Sequence, residues 1–191
     1  PPAGIPGAAC TEPATLFNSE IAPLAPYALR GAIWYQGESN AGQPEQYREL
    51  LPALIASWRR TWGQGDFAFG IVQLANFMGR QLLPVEPQGW ADLRDAQTAA
   101  LKTPNTGLAV TIDVGDASDI HPRNKQDVGR RLALWALSEV YDKECVYSGP
   151  MFRDMKVRDQ QAFLRFDHVG GGMLSRGEPL VGFAAAGDDK V

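Results

Sequence analysis

Two short stretches carry side chains that can do chemistry together. The first is GAIWYQGESNAG (31–42), where Gln36, Glu38, Ser39 and Asn40 follow a short apolar run. The second is DASDIHP (116–122), which sets Asp119 two residues before His121, one of only 2 histidines in the chain. Pro122 biases His121 toward an extended backbone, and side chains two apart on an extended backbone point the same way. Asp119 can then hold one imidazole nitrogen while the other faces a substrate, which is the base-and-orienter half of a catalytic triad. A surface histidine after a turn satisfies the same spacing. In the first stretch, amide side chains and freed N–H groups suit an oxyanion, and Glu38 offers a carboxylate to orient a histidine.

Ser39 raises a separate question. Gly37-Glu38-Ser39-Asn40-Ala41 misses the nucleophile elbow G-x-S-x-G only at its last position, and a strand before it with a helix after it fits an elbow. That reading makes Ser39 a nucleophile in an α/β-hydrolase-like enzyme. Against it, an elbow enzyme takes its acid and histidine from separate loops, whereas Asp119 and His121 share one. Simpler roles also fit: Gly37 for a turn, Asn40 as a helix cap, Trp34 as core. His168, between Asp167 and Val169, reads as a solvent-facing strand residue.

The elements that must position these residues alternate. GAIWY and FAFGIVQLA (67–75) read as strands, and TGLAVTI (106–112) as a third. Between the first two, Pro44 suits the first turn of a helix, and Tyr47, Leu50, Leu51, Leu54, Ile55 and Trp58 recur at helical spacing. Pro52 within that run predicts a kink or two abutting helices. Residues 76–89 form a long, proline-broken loop, a candidate binding loop. Helices are expected over 90–103 and 126–142. Strand–helix alternation implies a parallel sheet with helices on both sides, and functional loops gather at the carboxyl ends of such strands. All three suspicious loops fall there. Beyond about residue 145 the pattern becomes that of antiparallel strands, in KVRDQQAFLRFDHVGGG and LVGFAAAG.

Composition bounds the possibilities. The 191 residues are 45% hydrophobic and 21% charged, with 18 basic and 22 acidic residues and a net charge of −4. No basic run suggests nucleic acid or an anionic membrane, and no apolar run approaches the ~18–20 residues of a membrane span. Cys10 and Cys145 match no metal or redox spacing. Both ends read as internal to something longer: PPAGIPGAAC has no starting Met and no leader pattern.

PATLFNSEIAPLAPYALRGAIWYQGESN, YRELLPALIASWRRTWGQGDFAFGIVQLANF and DIHPRNKQDVGRRLALWAL together resemble the sialate O-acetylesterases, a branch of the SGNH (GDSL) hydrolases. The likeness runs over nearly the whole chain. It implies a flavodoxin-like three-layer α/β sheet, present in part. Residues 1–144 would be the C-terminal part of the catalytic domain, and 145–191 the start of a β-rich accessory domain. The family's nucleophilic serine lies in an earlier Gly-Gln-Ser-Asn segment, which does not occur here, so the nucleophile is expected outside this chain, with a missing N-terminal part of the same protein as partner. The resemblance makes His121 the base, with Asp119 or Glu38 orienting it. Gln36 and Gly37 would form the oxyanion site beside Asn40. The superfamily's usual acid sits three residues before the histidine, where this chain has Ser118, and Asp116 lies five before, so the orienting acid stays open. Related acetylxylan esterases look similar in using the glutamate of this block. An acetylated carbohydrate is the implied substrate, with Arg80 or Arg123 available to a sialic acid carboxylate; acetylated pectin or xylan also fits. No metal or organic cofactor is implied, and the setting would be secreted, periplasmic or lysosomal. A non-catalytic carbohydrate-binding chain is the remaining alternative. Triad members act as a unit, so the isolated chain is expected not to turn over 4-nitrophenyl acetate. Turnover that disappears in His121→Ala would put the nucleophile within these residues.

Overall fold

Gly31–Trp34 (β1), Ala68–Val72 (β2) and Thr106–Ala109 (β3) form a parallel sheet in the order β1-β2-β3 in the computed structural model, which describes residues 13–79, 89–174 and 183–187. Helix Pro44–Trp62 (α1) joins β1 to β2, and helix Gly89–Ala99 (α2) precedes β3. Both crossovers step the same way across the sheet, so right-handed connections put both helices on one face. The two-residue period sends Phe69, Ile71 and Leu108 to that face, where they pack with Leu51, Ile55, Leu93 and Ala96. Val72 and Ala109 face the other way, onto Val128 and Leu132 of helix Lys125–Glu139 (α3). The result is the three-layer α/β arrangement that the alternation of elements implies.

Pro44 occupies the first turn of α1, and left-handed Gly63 closes the helix, an asymmetry that follows from proline's fixed φ and glycine's missing Cβ. Tyr47, Leu51, Ile55 and Arg59 form its buried stripe. The helix runs as one element through Pro52, so of the two outcomes the sequence suggested there, two abutting helices do not form. Leu51 at 2% exposure and Ile55 at 0% anchor the turns on either side of the proline, so packing outweighs its missing hydrogen bond.

Arg59 is 7% exposed. Its guanidinium donates to the carbonyls of Phe67 (2.8 Å) and Pro104 (2.7 Å), fastening the amino ends of β2 and β3 to α1. Burial pulls its pKa down, and the Asp66 carboxylate opposes that pull.

The carboxyl ends differ from the sequence expectation. Strands expected over 67–75 and 106–112 stop at Val72 and Ala109, because side chains take the next backbone groups. Gln97 Oε1 accepts from Leu74 N–H at 2.9 Å, Arg131 donates to Val110 O at 2.7 Å, and the Thr111 hydroxyl donates to Gln73 O. The helices expected over 90–103 and 126–142 are likewise shorter: a 3₁₀ turn, Ala100–Lys102, follows α2, and α3 ends at Glu139.

Met151–Arg158 (β4) and Gln161–Asp167 (β5) form an antiparallel hairpin with an irregularity between Phe152 and Asp154. His168 follows β5 rather than lying in it, and its ring meets Tyr147 at 5.1 Å. Residues 183–187, within a stretch expected as a strand, are irregular. Cys145 is a free thiol, and Cys10 lies outside the described residues. No described helix is long and apolar enough to cross a membrane.

On the α3 face the Trp135 ring lies directly on β3. A Cβ at Gly107 would come within 1.9 Å of Trp135 Cε2, against 3.0 Å to Cζ3 for one at Gly70. Gly107→Ala is therefore expected to destabilise the fold by at least ~2 kcal/mol, as overpacking does, in urea unfolding. Adding Trp135→Leu should recover part of that loss, since contacting residues are not additive.

Candidate active site

Parallel strands deliver the loops after β1, β2 and β3 to one edge, with the outer two separated by two strand spacings, roughly 10 Å. In the first loop Gln36 Nε2 donates to Asn40 Oδ1 at 2.8 Å. Asn40 is thus a partner of Gln36 and not the cap of α1; the residue before α1 is Gln43, which makes no side-chain cap bond. The Gln36 carbonyl accepts from Tyr47 Oη and from Gln97 Nε2, each at 3.0 Å. Gly37 is buried with φ +152°, a region open to glycine alone. Glu38–Asn40 is a single 3₁₀ turn. Ser39 on it is exposed and has no positive φ, so the strained backbone lies at Gly37 and not at the serine an elbow would strain.

Glu38 sits in a cluster of polar groups. Burial raises the Tyr35 phenol's pKa, the Glu38 charge adds to the rise, and a hydrogen bond with Thr111 opposes it. Tyr47 is also raised, by burial first, with a contribution from Glu38. The Lys125 ammonium lies 4.7 Å from the centre of the Tyr35 ring, within cation–π range. Beside this loop is a cavity of about 390 Å³ lined by Trp34, Gln36, Asn40, Tyr47 and Leu54. Trp34 itself packs into the core and donates to Tyr47 Oη at 3.2 Å.

The loop after β3 is pinned at several points. Arg131 forks onto both carboxylate oxygens of Asp113, the longer bond being 2.7 Å. Gly115 N–H donates to Asn76 Oδ1 at 2.7 Å, and Met78 N–H to Ala117 O at 3.1 Å, stitching this loop to the one after β2. Asp116 accepts from the N–H and hydroxyl of Ser118, bonds that hold its pKa low. Asp119 Oδ1 accepts from His121 N–H at 2.8 Å and lies 3.5 Å from His121 Nδ1. The carboxylate therefore makes its good bond to backbone, and the imidazole contact is longer than a strong hydrogen bond. The His121 side chain is 87% exposed. Asn124 caps α3 by accepting from Asp127 N–H.

Asp119 and His121 are thus in contact, as are Gln36 and Asn40. No hydrogen bond or ion pair among the described residues joins His121 to Glu38. Arg123 is exposed two residues beyond His121, and Arg80 lies outside the described residues. Sequence reasoning passed over Gln97, Tyr47 and Asn76. Gln97 had a signal: it stands with Leu93 and Ala96 on the buried stripe of α2, a place for a polar residue only when its hydrogen bonds are met inside.

Residues 15–138 match the family described as carbohydrate esterase, sialic acid-specific acetylesterase. Sialate O-acetylesterase of Rattus norvegicus is 35% identical over 172 residues, covering 80% of this chain and 31% of that protein. The Homo sapiens sialate O-acetylesterase is 37% identical over 155 residues, 71% of this chain and 29% of that one. The chain therefore spans about a third of the length of these relatives. A crystal structure of a carbohydrate acetylesterase from Xanthomonas citri superposes with a TM-score of 0.74 at 43% identity, covering 83% of this chain and 38% of that one.

The Arg131 hydrogen bonds hold the Asp113 carboxyl below its usual pKa. A carboxyl depressed on folding stabilises above its unfolded pKa and loses that contribution as pH falls through the folded one. Asp113 is 59% exposed, so solvent screens the pair to about 1 kcal/mol or less. Asp113→Asn should lower stability by roughly 0.5–1 kcal/mol at neutral pH. In urea midpoints that gap should close on acidification below about pH 3, past the range of ordinary carboxylates.

Proposed function

The chain belongs to the carbohydrate esterase family of sialic acid-specific acetylesterases, and on that premise we propose that it carries the general base and part of the oxyanion site of a serine-type sugar O-acetylesterase. The observation that carries the reading is the Asp119–His121 contact in a loop on the same sheet edge as Gln36, Gly37 and Glu38.

In this mechanism a serine outside these 191 residues attacks the acetyl carbonyl, and His121 takes the hydroxyl proton as the new C–O bond forms. The oxyanion is met by the Gln36 amide and the Gly37 N–H. When the tetrahedral intermediate collapses, the bond to the sugar oxygen breaks and His121 returns the proton to that oxygen. Water, deprotonated by His121, then attacks the acyl-serine; as that intermediate collapses the bond to the serine oxygen breaks, His121 returns the proton to the serine, and acetate leaves. Asp119 or Glu38 orients the imidazole; Asp119 is supported by its 3.5 Å approach to Nδ1. The relatives' name supports O-acetylated sialic acid as substrate, and Arg123, beside His121, is suited to a sugar carboxylate. Ser39 is a turn residue here.

Residues 1–144 serve as the C-terminal part of the catalytic domain, and 145–191 begin a β-rich domain. The β4–β5 hairpin supports this division. Met155, Val157 and Leu164 share one exposed face, while Asp154 and Arg165 pair at 2.6 Å on the other. A lone hairpin is marginal in water, so this apolar face calls for further strands.

The test is a full-length enzyme assayed on O-acetylated sialic acid. His121→Ala should cost several orders of magnitude in kcat, as removal of a triad member does. Ser39→Ala removes at most one local hydrogen bond, ~0.5–1.5 kcal/mol, and should keep about a tenth of the activity or more. Glu38→Gln and Asp119→Asn should fall between, the more damaging one marking the acid that orients the imidazole. A Ser39→Ala enzyme as inactive as His121→Ala would instead make Ser39 the nucleophile.

A further inference from the structure

We propose that Gln97 and Tyr47 are positioning residues that lock the Gln36–Gly37 peptide with its N–H turned toward the reacting centre, an inference that rests on the esterase reading of this site.

A trans peptide is planar, with its carbonyl and N–H pointing in opposite directions. The Gln36 carbonyl is held by Tyr47 Oη and Gln97 Nε2, both at 3.0 Å. Those donors come from α1 and α2, which share one face of the sheet. The Gly37 N–H must then point away from that face, toward the side where the His121 loop enters α3. Gly37 is buried, yet among the described residues its N–H donates to nothing. Backbone donors at buried positions are seldom left unpaired, and an oxyanion is the acceptor such a donor awaits.

Neither holding group has freedom to turn. Gln97 is 0% exposed, and its Oε1 accepts from Leu74 N–H at 2.9 Å, which obliges its NH₂ to face Gln36. Tyr47 Oη accepts from the Trp34 indole at 3.2 Å, a donor only, so its own proton goes to Gln36 O. A flipped peptide would set the Gly37 N–H against two donors. Glycine is obligatory at this point: a Cβ would lie 2.9 Å from Leu93 Cδ2 and 3.1 Å from Gln97 Nε2, at φ +152°. The donor is thus fixed before any charge develops, which is the condition for large electrostatic stabilisation of a transition state.

The experiment compares full-length enzyme with Gln97→Glu, Tyr47→Phe and His121→Ala, each assayed on O-acetylated sialic acid across pH. Gln97→Glu keeps the acceptor for Leu74 but presents a carboxylate to the Gln36 carbonyl, repelling it. Its kcat should fall by roughly 10²–10³, the usual effect of losing one oxyanion donor, with KM within about threefold of the parent enzyme's. Burial raises the pKa of the introduced carboxyl, and once protonated it donates as the amide did. The ratio of variant to parent kcat should therefore climb as pH falls, which a merely structural role would not produce. Tyr47→Phe should lose roughly three- to tenfold in kcat, the effect of one ordinary hydrogen bond. It alone decides if Gln97→Glu does not fold. A pH-independent kcat ratio for Gln97→Glu, an effect confined to KM, or a Tyr47→Phe loss under about twofold overturns the inference while His121→Ala remains inactive. Full activity in His121→Ala overturns the esterase reading of the site and this inference with it.

Discussion

Parallel strands that all end at one edge leave backbone N–H and C=O groups with no ladder partner, at the place where substrate-facing loops begin. This chain meets that constraint with side chains. Gln97 takes the Leu74 N–H and the Gln36 carbonyl, Thr111 the Gln73 carbonyl, Arg131 the Val110 carbonyl, and Asn76 the Gly115 N–H. A hydrogen bond contributes about 1 kcal/mol net, but leaving a buried partner unmade costs ~1–3 kcal/mol. The asymmetry makes the edge over-determined. Moving one loop would strand several polar groups together, so apolar packing sets the layers while these contacts set the shape of the edge.

The amino edge solves the same problem with a charge. Arg59 gathers the carbonyls of Phe67, Pro104 and Asn105 around one guanidinium, with Asp66 at 3.7 Å. A buried cation is costly without such company, and a cation that cannot lose its proton is a fixed clamp. At the carboxyl edge the buried clamp is the neutral amide of Gln97. Helix α3 adds the charge of Arg131 at the Val110 carbonyl, and Glu38, Asp119 and Lys125 stand in or next to the loops.

Local pattern carried the layers but not the edge. The Tyr47–Leu51–Ile55 stripe, the continuous apolar run of β2 and the proline at the start of α1 are short-range signals, and each element formed where they lie. Strand ends were not legible, because distant residues end them: Gln97 stops β2 from another helix, and Arg131 intercepts β3 from the far face. The same applies to Asn40. Its type suits a cap, yet the nearer acceptor role, toward Gln36, depends on how the chain folds back within the turn. Asp119–His121 was legible because its two residues are neighbours in sequence. How far the imidazole projects was not, since that follows from pins at Asp113, Gly115 and Ala117.

Those pins account for a contrast between the two halves of the proposed site. Gly37 is buried and the Gln36 carbonyl before it is held by two donors, whereas the His121 ring is almost wholly exposed. The chemical tasks proposed for them differ in the same sense. An oxyanion donor is effective only if it is already aimed, because reorienting it during the reaction costs part of the stabilisation it provides. A general base must meet two different oxygens in turn, the nucleophile's and the leaving group's, and a ring fixed rigidly on one would serve the other poorly. Bonds at Asp113, Gly115, Ala117 and the His121 N–H fix the loop's backbone. The imidazole is 87% exposed, and among the described residues its one ion-pair contact is the Asp119 carboxylate at 3.5 Å, so the ring is far less constrained than the Gln36–Gly37 peptide.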